Sequence, residues 1–338
     1  MRRYHIVTRT GSLRNLVLRE GRPPASKPGS VLVEVKAVGL NYADIFAIMG
    51  LYSATPKAPF IPGLEYSGVV QHSEADEFRA GDLVIGVTKF GGYDSHILAD
   101  PSYLLRLPPD WTFEQGAAFP VQTLTAYYAL LPLGNLKPNQ SVLIHSAAGG
   151  VGIQANRIAK KFDAYTIGDV GSPSKLAVLE EEGYDRGIVR NSRFPENLTK
   201  ALEGRELDLV LEASGGRYFR YSYNALAPMG RLVAYGSAQF TPSSHKPNYL
   251  SLGWKYLFRP RVDPLTMITE NKSVLAFNLI WLYEKNWLMK ELMAEIDRLS
   301  LPPPKVGHVF KFSEAPKALA EFKEGNTVGK VVLSMAEQ

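Results

Sequence analysis

The stretch LIHSAAGGVGIQANRIA, residues 143–159, decides the fold class of this chain. A run of β-forming residues, 142–146, leads through a glycine-rich turn into a helix whose apolar positions recur every three or four residues. Aligned on the dinucleotide fingerprint, Ala147, Gly149 and Gly152 occupy the three glycine positions. The turn therefore predicts a dinucleotide-binding unit, and the alternative is a tight strand-to-helix turn that binds nothing.

Each glycine of this turn has a distinct task in the predicted unit. Gly149 lets the backbone approach a pyrophosphate, and Gly152 lets the helix pack close to the sheet. Gly150 and Val151 open the helix, where free N–H groups and the positive end of the helix dipole attract an anion. We expect the pyrophosphate of a dinucleotide to lie over these four residues.

The sequence on both sides of the turn predicts an α/β protein with two domains. Residues 4–109 form short β-rich runs separated by Pro and Gly, which is typical of an antiparallel β domain. After Pro120, strands and helices alternate, which predicts a doubly wound parallel sheet. The predicted elements of that part are 142–146, 151–162, 165–169, 175–182, 208–212, 218–226, 231–235, a strand at 273–280 and a helix at 281–299. The tail reads strand, helix, strand, and we expect it to return to the first domain.

Composition excludes several classes of function. The chain contains no cysteine, so disulfides, thiolate nucleophiles and cysteine-ligated zinc are excluded. The net charge of +5 arises from 38 basic and 33 acidic side chains spread along 338 residues, which gives little support to nucleic-acid binding. There is no long uncharged apolar run and no signal-like N-terminus, so we expect a cytoplasmic protein.

One short segment is both basic and aromatic. Residues 254–261, WKYLFRPR, fit either an ordinary surface helix and loop or a weak contact with an anionic membrane surface or a partner protein. The scattered histidines show no paired spacing that would predict a metal site.

The choice of dinucleotide is expected at the end of the strand that follows the glycine turn. An NAD site presents a carboxylate there to the ribose 2′-OH, and Asp169 lies one residue early for that task. Gly171 and Ser172 form the turn, Lys175 follows, and Arg190 closes the next strand-like segment. Two cations and a hydroxyl suit a 2′-phosphate, so the sequence favours NADPH. The alternative is that the two cations are solvated and Asp169 accepts the ribose of NADH.

At this point the chain resembles the zinc-independent quinone oxidoreductase branch of the medium-chain dehydrogenase/reductase superfamily. The resemblance is carried by VGLNYADIFAIMGLY, PGLEYSGVV, GDLVIGV, AAGGVG and GKVVL, in this order along the whole chain. The segment NKSVLAFNLIWL also resembles the subgroup of vesicle amine transport protein 1 homologues. The resemblance implies a GroES-like catalytic domain at 1–121 and 281–338, a Rossmann domain at 122–280, and a homodimer joined through the sheet edge.

The resemblance also implies a catalytic pocket without zinc. Zinc-containing relatives carry a cysteine where this chain has Asn41 and a histidine where it has Leu64. Asn41 and Tyr52 are implied to line the pocket beside the nicotinamide, with Asp44 supporting the loop between them. The alternatives are that Asn41 caps a turn, that Tyr52 covers a core edge and that Asp44 is structural.

Further cofactor residues follow from the resemblance. Those implied to contact the cofactor are Tyr128, Ser214, Gly236, Ser237, Phe277 and Asn278. Tyr128 and Phe277 have core packing as their alternative. Many quinone reductases have Arg where this chain has Asn278, and that departure bears on the choice of substrate.

The sequence thus favours an NADPH-dependent reductase that delivers hydride to a quinone or to an enone or enal. A second hypothesis is a nucleotide-binding protein of the same family that contacts membranes or partners and turns over weakly. The pair His145 and Ser146 invites comparison with a hydrolase, but the chain has no Gly-x-Ser-x-Gly motif and both residues lie at the end of a predicted buried strand.

Overall fold

A computed structural model describes residues 1–242 and 244–336. Its strands are β1 (Arg2–Val7), β2 (Leu16–Gly21), β3 (Val31–Gly39), β4 (Glu65–Ser73), β5 (Leu83–Val87), β6 (His96–Ala99), β7 (Leu104–Arg106), β8 (Ser141–Ile144), β9 (Tyr165–Val170), β10 (Arg186–Val189), β11 (Leu207–Glu212), β12 (Leu226–Ala234), β13 (Ser273–Ala276), β14 (Val306–Lys311) and β15 (Lys330–Ser334).

The helices lie between these strands along the chain. The α-helices are α1 (Tyr42–Ile48), α2 (Phe113–Ala117), α3 (Pro120–Tyr128), α4 (Gly150–Lys161), α5 (Leu176–Glu181), α6 (Phe194–Leu202), α7 (Gly216–Ala225), α8 (Tyr249–Leu257), α9 (Pro264–Glu270), α10 (Asn286–Arg298) and α11 (Ala315–Lys323). A π-helical turn (Ala129–Leu133) follows α3, and a 3-10 helix (Leu279–Glu284) precedes α10.

The chain divides into two compact units, which are described separately. The second unit comprises Thr123–Thr241 and Tyr249–Leu279. Its sheet is parallel throughout, in the order β10-β9-β8-β11-β12-β13. This is the order of a Rossmann sheet, with the crossover point beside β8, where the chain reverses its direction of winding. The predicted doubly wound parallel sheet is confirmed.

The first unit comprises Met1–Gln122, Pro242–Asn248 and Ile280–Gln338. Its main sheet has the order β14-β15-β3-β4-β5-β7, and β6 pairs with β3. Strand β3 alternates buried and half-buried residues along most of its length, because one face lies on the core. The closing strand β15 pairs antiparallel with β3, so the tail lies in the sheet of the N-terminal segment.

Three features of the chain differ from the sequence prediction. The predicted limits were 121/122 and 280/281, whereas the first unit ends at Gln122, resumes at Ile280 and also includes Pro242–Asn248. The strand predicted at 273–280 ends at Ala276, since β12, its partner, ends at Ala234. The helix predicted from Trp281 begins at Asn286, because residues 279–284 form a 3-10 helix that buries Ile280 and Tyr283.

Candidate functional site

The glycine turn of the second unit has the geometry of a phosphate cradle. Gly149 is extended (φ −89°, ψ 171°) and directly precedes α4. The first hydrogen bond of the helix runs from the Ile153 N–H to the Gly149 carbonyl at 3.0 Å. The N–H groups of Gly150, Val151 and Gly152 precede it, so they have no acceptor within the helix. These three donors and the helix dipole fit an anionic pyrophosphate.

Close packing explains why Gly152 has no side chain. A Cβ at this position would lie 2.6 Å from the Cα and the carbonyl oxygen of Ala147. A Cβ on Gly149 would meet only the Ser146 carbonyl, at 3.2 Å. The role predicted for Gly152, close approach of helix and strand, is therefore what the packing requires.

Arg190 lies across the ends of the neighbouring strands. Its Nη1 donates to Ser214 Oγ at 2.7 Å and to Ser146 Oγ at 3.2 Å. A Cβ on Gly171 would lie 3.4 Å from Arg190 Nη2, which places the guanidinium beside the turn that follows β9. The Arg190 side chain is 20% exposed, so a cation partly open to solvent stands at the edge of the sheet near the glycine turn.

Behind Arg190 lies a buried charged group that we call the Asp169 cluster: Asp169, His145, Arg190 and Ser214. The Asp169 carboxylate forms an ion pair with His145 Nδ1, and both side chains are fully buried. Its Oδ1 accepts the Ser146 N–H at 3.0 Å and lies 3.4 Å from Arg190 Nε. The carboxylate is therefore fully buried and already engaged by groups of the protein itself.

The electrostatics of this pair favour the charged forms. Burial alone would lower the pKa of His145, but the charge and hydrogen bond of Asp169 outweigh it and raise that pKa. Burial alone would raise the pKa of Asp169, but the charge and hydrogen bond of His145 outweigh it and lower that pKa. Both shifts stabilise an imidazolium beside a carboxylate.

The remaining polar residues predicted around the 2′-phosphate lie near Arg190. Burial and the positive charge of Arg190 lower the pKa of Lys175, so the two cations stand close enough to interact. Ser172 Oγ is 2.9 Å from Ser174 Oγ. Arg190, Lys175, Gly171 and Ser172 thus all lie at or after the carboxyl ends of β9 and β10.

The predicted residues on β11 and β12 also reach the same edge of the sheet. Ser214 follows β11, and its N–H donates to Glu212 Oε1 at 2.9 Å. Gly236 and Ser237 follow β12, where Ser237 Oγ accepts from Gln239 Nε2 at 3.3 Å. The Gln239 N–H donates to the Ser214 carbonyl at 3.0 Å, which ties the two strand ends together.

An aromatic group lies at the end of the sheet near β13. The rings of Tyr128 and Phe277 meet edge to face, 5.0 Å apart, and Tyr235 lies 6.3 Å from Phe277. The Phe277 N–H donates to the Ala234 carbonyl at 3.1 Å. Asn278, the next residue, is half-buried. Tyr128 and Phe277 therefore pack against each other, and both rings remain half-buried.

In the first unit, Asn41 belongs to a second buried charged group, the Glu65 cluster: Glu65, Lys330, Asn41 and Gln122. Asn41 Nδ2 donates to Glu65 Oε1 at 2.8 Å, and Lys330 Nζ donates to Asn41 Oδ1 at 3.0 Å. Lys330 Nζ also donates to Glu65 Oε1 at 2.6 Å. The carboxamide of Asn41 is therefore held from both ends by its neighbours.

The other groups of the Glu65 cluster complete the coordination of the carboxylate. Gln122 Nε2 donates to both Glu65 oxygens, at 2.8 and 3.1 Å, and the Val121 N–H donates to Oε2 at 2.9 Å. Glu65 is fully buried and Lys330 is 4% exposed. Burial lowers the pKa of Lys330, while the Glu65 charge opposes that change.

Asp44 is fully buried and supports the start of α1. Its Oδ2 accepts the Asn41 N–H at 2.8 Å and the Tyr93 hydroxyl at 3.1 Å. Burial raises the pKa of Asp44 to about 7, against the opposing effect of these hydrogen bonds. This geometry is that of a helix-start residue, the structural alternative weighed for Asp44. Tyr52 is half-buried and packs against the core of the same unit.

The residues of the Glu65 cluster do not fit a catalytic zinc ion. Asn41, which replaces the metal-binding cysteine of zinc-containing relatives, has its oxygen on the Lys330 ammonium. Leu64, which replaces the histidine, has no ligand atom. Within residues 1–242 and 244–336, His, Cys, Asp and Glu side chains nowhere gather in threes as a metal site requires.

His145 also contacts a serine, with Nε2 2.9 Å from Ser222 Oγ. The Asp169, His145 and Ser222 side chains together have the order of a hydrolase triad. All three residues are fully buried, so no substrate can reach the Ser222 hydroxyl.

Sequence reasoning missed several members of both clusters. It did not identify Glu65, Lys330 and Gln122, and it gave His145 no role beside Asp169. One signal is present: Glu65 follows the GL of the motif PGLEY, and Lys330 is the second residue of the motif GKVVL, so both lie inside segments that carry the resemblance.

Comparisons with known proteins agree with this architecture. Residues 27–109 match the alcohol dehydrogenase GroES-like domain, and residues 150–269 match the zinc-binding dehydrogenase family. The chain is 32% identical over 320 residues to the synaptic vesicle membrane protein VAT-1 homolog of Homo sapiens, covering 93% of this chain and 81% of that protein. It is 33% identical over 324 residues to the Danio rerio homolog, covering 94% of this chain and 66% of that longer protein.

The solved structures similar to this chain include oxidoreductases. The quinone oxidoreductase from Thermus thermophilus, described also as a complex with NADPH, has a TM-score of 0.80 and 30% identity, covering 98% of this chain and 100% of that one. The CurK enoyl reductase has a TM-score of 0.85 and 26% identity, with 99% of each chain covered.

A parallel sheet of Rossmann order with a glycine turn, and a second unit that matches the GroES-like domain of alcohol dehydrogenases, are the architecture of a family of oxidoreductases. The chain belongs to the medium-chain dehydrogenase/reductase superfamily, and VAT-1 homologues are among its relatives there. The resemblance identified from the sequence motifs is confirmed.

Proposed function

We propose that this chain is an NADPH-dependent, zinc-independent reductase that delivers hydride to a quinone or to the β-carbon of an α,β-unsaturated carbonyl compound. The observation that carries the proposal is the position of Arg190. Its guanidinium is held by Ser146 and Ser214 beside the phosphate cradle, and Lys175 adds a second positive charge. A 2′-phosphate would find charge-assisted donors there.

The buried position of Asp169 supports the same choice of cofactor. A carboxylate that selects NADH must accept the ribose 2′-OH, and this one is engaged by His145 and the Ser146 N–H instead. The Thermus relative described as a complex with NADPH is consistent with this preference. Bound NADPH supplies the hydride, and the protein contributes binding and orientation.

The substrate class rests on chemistry and on relatives. A quinone and an enone both accept hydride at carbon and develop negative charge on oxygen, which fixed hydrogen-bond donors stabilise. Tyr52 and Asn41 are proposed to line the pocket. The Tyr52 hydroxyl is the donor proposed for that oxygen. The Asn41 amide donates to Glu65 and its oxygen accepts from Lys330, so Asn41 has one lone pair left, which can accept a hydrogen bond from the cofactor. Quinone oxidoreductase and enoyl reductase relatives support both substrate types.

Two measurements test the proposal. The protein is mixed with NADPH and a panel of ortho-quinones, enones and enals, and absorbance at the NADPH band reports turnover. Dissociation constants for NADPH and NADH are then compared in the wild type and in Arg190→Ala. We expect the variant to lose about 1.5–3 kcal/mol of NADPH binding, as for a hydrogen bond to a charged group, and to bind NADH as before. Equal loss of both nucleotides would contradict the phosphate assignment of Arg190.

A second activity, contact with an anionic membrane surface, is favoured by α8. Trp254 is 67% exposed and Phe258 is 57% exposed, and their rings pack together with centroids 4.4 Å apart. Lys255, Arg259 and Arg261 supply positive charge along the same segment. Within the part of the chain that the structure describes, no helix is long and apolar enough to cross a bilayer. Flotation with anionic and with zwitterionic vesicles, for the wild type and Trp254→Ala, tests the contact.

The proposed homodimer would use the edge of the parallel sheet. Strand β13 ends the strand order and pairs on one side with β12. An unpaired strand edge is a ready surface for a second copy. Light scattering on the purified protein measures the mass directly, and a monomer at micromolar concentration would remove this part of the proposal.

A further inference from the structure

The Asp169 cluster places an acidic residue within reach of the cation assigned to the 2′-phosphate. An aspartate beside Arg190 would be expected to neutralise the guanidinium and to repel a phosphate. Asp169 pairs with both cations of the cluster, but it meets Arg190 only at Nε, whereas Nη1 donates to Ser214 and Ser146 and Nη2 lies beside Gly171. Asp169 forms its close ion pair with His145 and stands 3.4 Å from Arg190 Nε.

We propose that His145 is a specificity-determining residue for the cofactor: its buried ring, paired with Asp169 through Nδ1, holds that carboxylate inward and so leaves the Arg190 Nη groups to a 2′-phosphate. The inference rests on the proposed function, because it explains how the NADPH preference arises. His145 touches no cofactor atom in this scheme and acts through Asp169, so it is a positioning residue.

The hydrogen bonds around His145 fit this role. The Asp169 carboxylate has His145 Nδ1 in ion-pair contact with Oδ2 and accepts the Ser146 N–H on Oδ1, and His145 Nδ1 also lies 3.3 Å from Ser214 Oγ. His145 Nε2 lies 2.9 Å from Ser222 Oγ, and the ring stacks near Phe194 with centroids 6.0 Å apart. A doubly protonated ring can donate to Asp169 through Nδ1 and to Ser222 through Nε2, so both nitrogens have an acceptor.

The charges facing the cluster show what the imidazolium contributes. Arg190 and Lys175 are the other cations, and Asp169 and Glu212 are the anions. Glu212 is occupied by the N–H groups of Ser214 and Gly215, at 2.9 and 2.6 Å. With His145 charged, the cations outnumber the anions. Without that charge the two signs balance, and Asp169 has Arg190 as its nearest cation.

The experiment measures the ratio of the NADH to the NADPH dissociation constant in the full-length protein. In His145→Gln, the Asp169 carboxylate loses its partner, so it should repel the 2′-phosphate and pair more closely with Arg190. We therefore expect the ratio to fall by on the order of tenfold, the scale of one charge-assisted hydrogen bond. NADH binding should be unchanged or tighter. In the double variant His145→Gln/Asp169→Asn, the repelling charge is gone and the ratio should return toward the wild-type value.

The single variant Asp169→Asn provides a test that does not depend on how well a His145 variant folds. Our proposal expects its preference for NADPH to be kept or increased, because the variant removes an anion from beside the phosphate. A clear loss of NADPH preference in Asp169→Asn would overturn the proposal, since it would mean that the charged Asp169 helps to hold the phosphate. An unchanged ratio in folded His145→Gln would overturn it as well.

The control is Glu182→Gln, which removes the negative charge from a partly buried ion pair in the same unit, Arg157 Nε to Glu182 Oε2 at 2.8 Å. This variant should lose stability without changing the nucleotide ratio. The two proposals fail in different ways. A wild type that binds neither nucleotide, or prefers NADH, contradicts the proposed function. A wild type that prefers NADPH, with an unaltered ratio in His145→Gln, contradicts only the role of His145.

Discussion

The Glu65 and Asp169 clusters differ in how completely they are closed. In the Glu65 cluster, the carboxylate receives Lys330, Asn41, Gln122 and the Val121 N–H, and Glu65 itself is fully buried. In the Asp169 cluster, the chain of contacts ends on Arg190, which is partly open to solvent. The Glu65 carboxylate therefore has little capacity left for a ligand, and in its cluster only the Asn41 oxygen is proposed to accept one, whereas the Asp169 cluster presents a charge.

This difference suggests a division of labour between the two units. The Glu65 cluster joins β4, β15 and the start of α1, so disrupting it should lower the free energy of unfolding. The Asp169 cluster joins the ends of parallel strands, where nucleotide sites of this fold lie. Altering it should therefore change the preference between NADPH and NADH. Variants in each cluster can test whether this division holds.

The largest effect is expected from Lys330→Met, which leaves Glu65 as an uncompensated buried charge. Removing one partner of a buried ion pair costs about 3–5 kcal/mol, and the loss should appear in the free energy of unfolding measured with urea. The nucleotide ratio should stay at the wild-type value, since the Glu65 cluster lies in the other unit.

The double variant Lys330→Met/Glu65→Gln is the control for that prediction. Without the charge on Glu65, the penalty for the missing lysine should shrink, and the cycle yields the coupling between the two residues. If Lys330→Met alone costs less than about 1 kcal/mol, the pair behaves like an exposed salt bridge and the cluster is not closed.

Asp44 gives a pH-dependent test of the same unit. Its pKa is raised from 3.8 to about 7 by burial, so the folded protein keeps the proton after the unfolded chain has released it. Stability contributed by the protonated side chain is fully present below pH 3.8 and is lost as the pH rises through 7. At about 1.4 kcal/mol per pKa unit, a shift from 3.8 to about 7 makes the loss about 4 kcal/mol.

The comparison variant is Asp44→Asn, which cannot release a proton. We expect the wild type to lose stability relative to this variant between about pH 4.5 and about pH 7.5 by roughly the amount above. Parallel stability curves for the two proteins over that range would mean that Asp44 is ionised in the folded state.

The fold was accessible from the sequence because its signals are local. The glycine turn, the adjoining strand and the helix lie within residues 143–159, and strand and helix alternate on both sides. Element limits were less accessible: nothing in the pattern of residues 279–284 distinguishes a 3-10 helix from the start of α10. That difference depends on which side chains the core accepts, here Ile280 and Tyr283.

The candidate site could be predicted only in part, because its contacts join residues that are far apart in the sequence. Asn41 was identified, but its partners lie 24 and 289 residues away in Glu65 and Lys330, and no local pattern connects them. The sequence leaves Asp169 as an alternative ribose acceptor, although it lies one residue early in the strand for that task. Its true partner, His145, lies at the end of the neighbouring parallel strand, and only the strand order brings the two together.

The smallest effect, and the finest test of the open edge of the second unit, comes from its two glycines. In Gly152→Ala the new Cβ would lie 2.6 Å from the Ala147 backbone, so α4 must shift and we expect a loss of about 1–3 kcal/mol in stability.

In Gly149→Ala the nearest atom, the Ser146 carbonyl oxygen, is at 3.2 Å and the backbone is extended, so the fold should tolerate the methyl group. The methyl group would instead stand where a pyrophosphate approaches the backbone. Gly149→Ala should therefore weaken NADPH and NADH binding equally, with little change in thermal stability. This pattern separates the phosphate cradle from the selectivity of Arg190, because a change in the nucleotide ratio in Gly149→Ala would mean that the turn itself contributes to the choice of cofactor.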